Sequence, residues 1–155
     1  HWKNKAQATK DEIIADFPDT QVEADTSNAE MALKRLCNYD LVIDATGDEQ
    51  FSNTLNAHAI EQARNSEMFP PVQYVMIFGN GIAAQSFIST HEPSKACFRC
   101  LKPKFGGQWR NDPLLPSAAE VEIVVRPCAQ SSFAPFAVSA SMSRAELATP
   151  SAIDY

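Results

Sequence analysis

One pair of cysteines stands at a spacing that suits metal or redox chemistry. Cys97 and Cys100 are two residues apart, which is the spacing of half a structural zinc site. Tetrahedral zinc needs two more ligands, and no second Cys-x-x-Cys supplies them in this chain. His91 or a cysteine beyond the chain would complete the set. The spacing therefore predicts a zinc half-site, with a redox pair or plain loop residues as the alternatives.

A third cysteine, Cys128, has the sequence surroundings of a nucleophile. It follows Arg126 at the end of a predicted strand and comes ahead of a predicted helix. A nearby cation and a helix N-terminus both favour the thiolate, which is the reactive form. We interpret Cys128 as a candidate nucleophile assisted by Arg126, with a buried inert thiol as the alternative. The fourth cysteine, Cys37, falls in an apolar helical pattern and is expected in the core.

Two aspartates bracket the exit of a predicted strand. Asp44 ends the apolar run that begins at Tyr39, and Asp48 stands just ahead of a predicted helix. Ligands of α/β sheets sit beyond the carboxyl ends of strands, where a carboxylate can coordinate magnesium or orient a phosphate. The alternative for Asp48 is a helix cap, because an aspartate accepts hydrogen bonds from the free N–H groups of a helix start.

The elements that position these residues follow from hydrophobic periodicity. Helices are predicted over Lys3–Phe17, from a Ser27–Glu30 capping box to about Cys37, over Glu49–Asn65 and from Pro135 to about Leu147. Strands are predicted over Tyr39–Asp44, Val72–Phe78, Ile82–Ser89 and Val121–Val125, with Thr20–Ala24 as a short extended candidate. Residues 91–118 form a stretch too long for an ordinary connection, and we interpret them as a crossing loop.

The alternation of these elements predicts the fold class. The Leu-Val-Ile centre of the strand ending at Asp44 is typical of a strand buried on both faces. We therefore expect an α/β fold, Rossmann-like, with a mostly parallel sheet and flanking helices. The glycine-rich turn that opens such a nucleotide-binding sheet is absent from this sequence.

Composition narrows the classes of function. The 155 residues carry a net charge of −6 with scattered basic residues, so nucleic acid is not expected as a partner. No apolar run approaches the ~20 residues of a membrane span, and a membrane role is not expected either. Four cysteines are too few for a secreted disulfide framework, which indicates a reducing, cytoplasmic setting.

Five segments in one order resemble the ThiF/MoeB family of adenylyltransferases, which shares its fold with the ubiquitin-activating enzymes. The segments are Lys5-Ala6 with Pro18, Tyr39 to Thr46, Leu55-Asn56, Cys97 to Leu101, and Pro127-Cys128 with Ala134-Pro135. Thr46 to Asp48 and the segment around Cys128 look nearer to the bacterial antiphage branch of the family, in which ubiquitin-activating and ubiquitin-conjugating-like domains are fused. The resemblance implies that residues 1–155 are the C-terminal portion of an adenylation domain whose glycine-rich turn lies upstream.

The resemblance also implies an activity. Such enzymes use ATP and magnesium to adenylate the C-terminal carboxylate of a ubiquitin-like or sulfur-carrier protein, and many then capture it as a thioester. Lys5 would meet the phosphates, Asp44, Thr46 and Asp48 would line the nucleotide site, and Cys128 would take the thioester. Gly47 departs from the family pattern, because it occupies the place of the usual aspartate. The resemblance further implies a homodimer.

Two other classes of function stay open from the sequence. One is a catalytically inactive, structural half of a heterodimeric activating enzyme, which binds the carrier without ATP. The other is a nicotinamide-binding Rossmann domain with a redox Cys-x-x-Cys. A glycine-rich turn with an arginine and an aspartate upstream would favour adenylation over both.

Overall fold

The computed structural model describes residues 3–78, 83–102, 107–113, 146 and 149–150. Its helices are α1 (Lys5–Asp16), α2 (Ala29–Ala32), a 3-10 helix (Leu33–Asn38), α3 (Glu49–Arg64) and α4 (Phe98–Leu101). Its strands are β1 (Val42–Asp44), β2 (Val72–Phe78) and β3 (Ala83–Ser89). The chain divides into two compact units, residues 1–34 and 35–155, and each is described by itself.

The first unit contains α1 and α2. Asn4 caps α1 by accepting a hydrogen bond from the Ala6 N–H, and none of the residues of α1 is buried. The cap of α2 is Asn28, which accepts from the Glu30 N–H, so the predicted capping role of Ser27 is wrong. The Ser27 N–H instead donates to the Asp25 side chain. No strand forms over residues 20–24, where an extended segment was expected.

The second predicted helix changes type partway along. Its α-helical part ends at Ala32, and Leu33–Asn38 continues as a 3-10 helix. A 3-10 helix has three residues per turn, so Leu33 and Leu36 lie on the same side. Cys37, which would share the face of Leu33 in an α-helix, lies on a different side here. Cys37 is exposed, and the prediction that it lies in the core is wrong.

The sheet of the second unit has the order β1-β2-β3. β1 runs parallel to β2, and β2 runs antiparallel to β3 with Val72 opposite Ser89 and Phe78 opposite Ala83. A mixed α/β fold is confirmed, but the described sheet is mixed rather than mostly parallel. Four residues separate β2 from β3. A parallel crossover needs a dozen or more residues, so this connection permits only an antiparallel pair.

β1 also differs from its prediction. Only Val42–Asp44 of the predicted Tyr39–Asp44 strand pairs with β2. Val42 and Asp44 are buried, but Ile43 between them is 56% exposed. The expectation of a strand buried on both faces is therefore wrong for the residues that the structure describes.

The core of the second unit lies between α3, α4 and the sheet. Leu55 and Ala59 of α3 are fully buried, as is Val72 of β2. Tyr74 of β2 packs against Phe98 of α4 with ring centroids 4.5 Å apart, and both side chains are 1% exposed. Burial of a large apolar side chain stabilises a fold by about 1.5–3 kcal/mol, so these contacts hold α4 firmly against β2. In the described part of the chain, none of the helices has the length and apolarity to cross a membrane.

Candidate functional site

The turn from β1 into α3 is built around a buried carboxylate. Asp44 is 4% exposed, and its Oδ1 accepts hydrogen bonds from the Thr46 N–H at 3.0 Å and the Thr46 hydroxyl at 2.7 Å. Its Oδ2 accepts from the Ser52 hydroxyl at 2.5 Å. A buried carboxylate needs such donors to offset its lost hydration. Asp44 therefore holds the turn to the first part of α3.

Gly47 gives this turn its shape. Its φ is +69°, in the left-handed region that glycine adopts without steric cost. No atom of the described residues lies within 4 Å of a side-chain carbon added at Gly47, so within that part of the chain only the backbone conformation favours glycine. The next N–H, from Asp48, donates to the Thr46 hydroxyl at 3.2 Å. The departure from the family pattern at this position therefore suits a tight, left-handed turn.

Asp48 is the N-cap of α3, as its alternative interpretation predicted. Its Oδ1 accepts from the Gln50 N–H at 2.8 Å and the Phe51 N–H at 3.1 Å. The residue is exposed, and within the described part of the chain its Oδ2 accepts no hydrogen bond. A carboxylate here also interacts favourably with the positive end of the helix dipole. The turn thus holds one inward carboxylate and presents another to solvent.

Lys5 belongs to the first unit. It is the first residue of α1 and is exposed. An open groove of about 550 Å³ runs between α1 and residues 22–27, with Lys5 and Lys10 on one side and Glu23 and Asp25 on the other. Lys5 and the Asp44–Asp48 turn fall in separate units, so the expectation that they share a nucleotide stays a prediction.

The two cysteines of the Cys-x-x-Cys pair lie at the start of α4. Their sulfurs are 3.8 Å apart, well beyond the ~2.05 Å of a disulfide, and both are free thiols. The Cys100 N–H donates to the Cys97 carbonyl at 2.9 Å, which fixes the turn between them. The pKa of the Cys100 thiol is lowered, first by a hydrogen bond from the Cys97 backbone, then by the Cys97 thiol and the charge of Arg110.

Asn56 of α3 joins the core to this pair. Its Oδ1 accepts from the Phe98 N–H at 3.1 Å, and its Nδ2 lies 3.8 Å from the Cys97 sulfur as a donor. Asn56 is 3% exposed. In the sequence Asn56 stands out only as part of the Leu55-Asn56 segment, because a contact across 41 positions leaves no local signal.

A second link ties residues after α4 to the start of α3. The Lys102 ammonium contacts the Glu49 carboxylate at 2.6 Å and lies 4.9 Å from the centre of the Trp109 ring. Trp109 in turn packs edge-on against Phe98 with centroids 5.9 Å apart. Part of the predicted crossing loop is therefore helical, in α4, and part of it packs on that helix. Neither Lys102 nor Trp109 stood out in the sequence.

His91 does not join the cysteine pair. Its Nε2 contacts the Pro70 carbonyl at 3.0 Å, and its Nδ1 contacts the Ser89 hydroxyl at 3.3 Å. A carbonyl only accepts, so Nε2 carries the proton and Nδ1 accepts from Ser89. Burial lowers the pKa of His91, and the hydrogen bond to Pro70 offsets part of that shift. Among the described residues, no cluster of three or more His, Cys, Asp or Glu side chains is placed to bind a metal, so His91 is not a third ligand there.

Several predicted features lie outside the described residues. They are the candidate nucleophile Cys128 and its neighbour Arg126, the strand Val121–Val125 and the start of the helix at Pro135. Their roles stay predictions from the sequence. No protein-family model matches the chain, and the comparisons with proteins of curated function and with solved structures also found no match.

Proposed function

We propose that this chain is part of an ATP-dependent enzyme that adenylates the C-terminal carboxylate of a ubiquitin-like or sulfur-carrier protein. The observation that carries the proposal is the turn after β1, in which Asp44 is satisfied inside and Asp48 faces solvent. This turn follows the carboxyl end of a strand that pairs in parallel with β2, which is where α/β sheets bind nucleotides. The ordered resemblance to the ThiF/MoeB family supports the same activity.

Different hydrogen bonds at Asp44 and Asp48 support different roles for these two acids. Both oxygens of Asp44 accept from Thr46 and Ser52, so that carboxylate is committed to the turn. Asp48 caps α3 through Oδ1 alone. Its Oδ2 is therefore placed to bind a magnesium ion, or a water molecule coordinated to that ion. We therefore assign the magnesium and phosphate role to Asp48 and the positioning role to Asp44. Thr46 supports the turn through its hydroxyl.

The proposed reaction has two steps. A carboxylate oxygen of the carrier attacks the α-phosphorus of ATP, and pyrophosphate leaves with the electron pair of the broken P–O bond. Lys5 would stabilise the charge that builds on the phosphates. The Cys128 thiolate then attacks the activated carbonyl, and AMP leaves as the thioester forms. The positive charge of Arg126 would favour that thiolate.

Binding of Mg·ATP tests the assignment of Asp48 without knowledge of the carrier. Isothermal titration calorimetry compares the wild type of the protein that carries this chain with Asp48→Asn. Asparagine caps helices as well as aspartate does, so α3 keeps its cap while the charge is lost. Loss of a charged contact costs about 1.5–3 kcal/mol, so the affinity for Mg·ATP should fall about 10- to 100-fold.

Asp40→Asn is the matched control. Asp40 is an exposed aspartate that precedes β1, at the opposite end of the strand from Asp48. This variant should bind Mg·ATP as the wild type does. Wild-type protein that binds no Mg·ATP, or Asp48→Asn protein that binds it equally well, would overturn the proposal and favour an inactive, structural half of an activating enzyme.

A further inference from the structure

The N-terminus of α3 carries two carboxylates in a row. Asp48 is the N-cap of the helix, and Glu49 is its first residue. With Asp44 at the end of β1, three acids fall within six positions of the sequence. Negative charges this close repel an anionic ligand, and the magnesium complex of ATP is itself an anion. A nucleotide at Asp48 is therefore favoured if part of this negative charge is offset.

A lysine that follows α4 supplies an offsetting charge. The Lys102 ammonium contacts the Glu49 carboxylate at 2.6 Å, and the two side chains are only 11% and 26% exposed. Salt screens a pair that is so far withdrawn from solvent less than it screens an exposed pair. The same withdrawal limits what the pair adds to stability, because desolvation offsets the Coulomb attraction. The main effect of Lys102 is therefore on the charge next to Asp48.

Aromatic rings hold Lys102 in this place. Its ammonium lies 4.9 Å from the centre of the Trp109 ring, within the ~6 Å range of a cation–π contact. The Trp109 ring packs edge-on against Phe98 and Phe78, with centroids 5.9 Å and 5.3 Å apart. Lys102 is thus held between a carboxylate and an anchored ring, unlike a surface lysine that samples many rotamers.

We propose that Lys102 is a positioning residue of the proposed nucleotide site. It acts through Glu49, 53 positions away, by holding that carboxylate in the ion pair and offsetting its charge. Asp48 then faces magnesium and the phosphates of ATP without the uncompensated charge of Glu49 beside it. Lys102 does not itself bind the nucleotide. This inference rests on the proposed function and adds to it a residue from the far side of the sequence.

Changes of charge within the ion pair separate this role from a merely structural one. Lys102→Met removes the cation and leaves the charge of Glu49, whereas Glu49→Gln removes the anion and leaves the ammonium. A unit charge ~8 Å from a doubly charged anion in water alters its binding about 3- to 10-fold. Lys102→Met should therefore bind Mg·ATP more weakly than the wild type by this factor, and Glu49→Gln should bind it more tightly. The double variant restores the balance of charge and should bind like the wild type.

Isothermal titration calorimetry of the protein that carries this chain measures these affinities, at an ionic strength of about 0.15 M and again at about 1 M. The effects of the single variants should shrink at the higher salt, because salt screens charges. A merely structural pair would instead make both single variants lose affinity, with no dependence on salt. Lys95→Met is the matched control, since Lys95 pairs with Glu92 at 2.7 Å, outside α3, and it should bind Mg·ATP as the wild type does.

The outcomes distinguish this inference from the proposed function. Lys102→Met protein that binds Mg·ATP as the wild type does, or Glu49→Gln protein that binds it no more tightly, would overturn the role of Lys102 alone. Wild-type protein that binds no Mg·ATP would overturn the proposed function and this inference with it. Glu49→Gln decides the question by itself if Lys102→Met does not fold, because the glutamine oxygen still accepts a hydrogen bond from the ammonium.

Discussion

Ser52 and Asn56 lie one turn apart on the buried side of α3 and hold two different regions of the molecule. Ser52 donates to Asp44, eight positions away, in the Asp44–Asp48 turn, called the acidic turn below. Asn56 contacts Cys97 and Phe98, more than forty positions away. The acidic turn is closed by local hydrogen bonds. The N-cap of α4, Cys97, makes no side-chain capping hydrogen bond, so the start of this cysteine helix depends on the distant Asn56. One region is therefore shaped by its own sequence and the other by the fold around it.

This difference bears on what each region can do. The acidic turn keeps its shape through Thr46 and Gly47 and still leaves one oxygen of Asp48 available to a ligand. The cysteine helix is held on several sides, by Asn56, by Tyr74 and by Trp109. Such multiple support suits a structural centre more than a site that must accept a large carrier protein. We therefore separate the cysteine pair from the proposed step in which a carrier protein is captured.

The first test of this separation concerns the covalent adduct and carries the largest expected effect. Cys128→Ala should abolish a thiol-sensitive adduct with the carrier, because it removes the proposed nucleophile, and should leave ATP–pyrophosphate exchange intact. Cys37→Ala should change neither. Non-reducing gel electrophoresis and the exchange assay measure the two outcomes. An adduct that survives in Cys128→Ala and disappears in Cys100→Ala would place the acceptor in the cysteine helix instead.

The second test concerns stability and compares the two contacts of α3. Ser52→Ala removes a hydrogen bond to a carboxylate, and Asn56→Ala leaves the buried Phe98 N–H without its acceptor. Each should lower the free energy of unfolding by about 1–3 kcal/mol in urea denaturation. Amide hydrogen exchange distinguishes them, because only Asn56→Ala should expose Phe98 and Cys100. Equal exchange at α4 in both variants would show that the two regions are not held independently.

The third test uses the segment between β3 and α4 and has the smallest expected effect. The pKa of His91 is lowered by burial in the folded protein, so the unfolded chain takes up a proton first as the pH falls below the ordinary value of 6.5. Stability is therefore complete above that value and decreases as the pH falls toward the lowered pKa. His91→Asn tolerates the φ of +62° and removes the titration.

Urea denaturation at about pH 7 and about pH 5 gives the measurement for this histidine. The wild type should lose more of its free energy of unfolding between these two values than His91→Asn does. Identical losses in the two proteins would contradict a contribution from His91.

The local part of the fold was predictable because its signals are short-range. The apolar spacing predicted α3 to within a residue, and the Val72–Phe78 run predicted β2 with its observed bounds. The mixed sheet was also predictable from the sequence, since the Gly79–Gly81 segment between the two predicted strands is too short for a parallel crossover.

The contacts of the cysteine helix were not predictable in the same way. The contacts that Asn56, Lys102 and Trp109 make with α4 or its neighbours form only when the chain has folded. No periodicity or spacing in the sequence predicts these contacts. The burial of Asp44 against Ser52 lies between the two cases, because the residues are near in sequence but the turn at Gly47 had to be known. The sequence predicted two alternative roles for Asp48, a ligand and a helix cap. Its role as the N-cap of α3 is confirmed, and its ligand role stays a proposal.

ATP–pyrophosphate exchange in the presence of the carrier tests the central claim, that Asp48 is the ligand-facing acid of an adenylation site. The assay compares wild-type protein with Asp48→Asn, with Asp40→Asn as the control. Loss of one electrostatic contact to the transition state costs on the order of 100-fold or more, and we expect that loss in Asp48→Asn only. Its free energy of unfolding should change by less than about 1 kcal/mol, because the cap is kept. Exchange by Asp48→Asn at the wild-type rate would contradict the account.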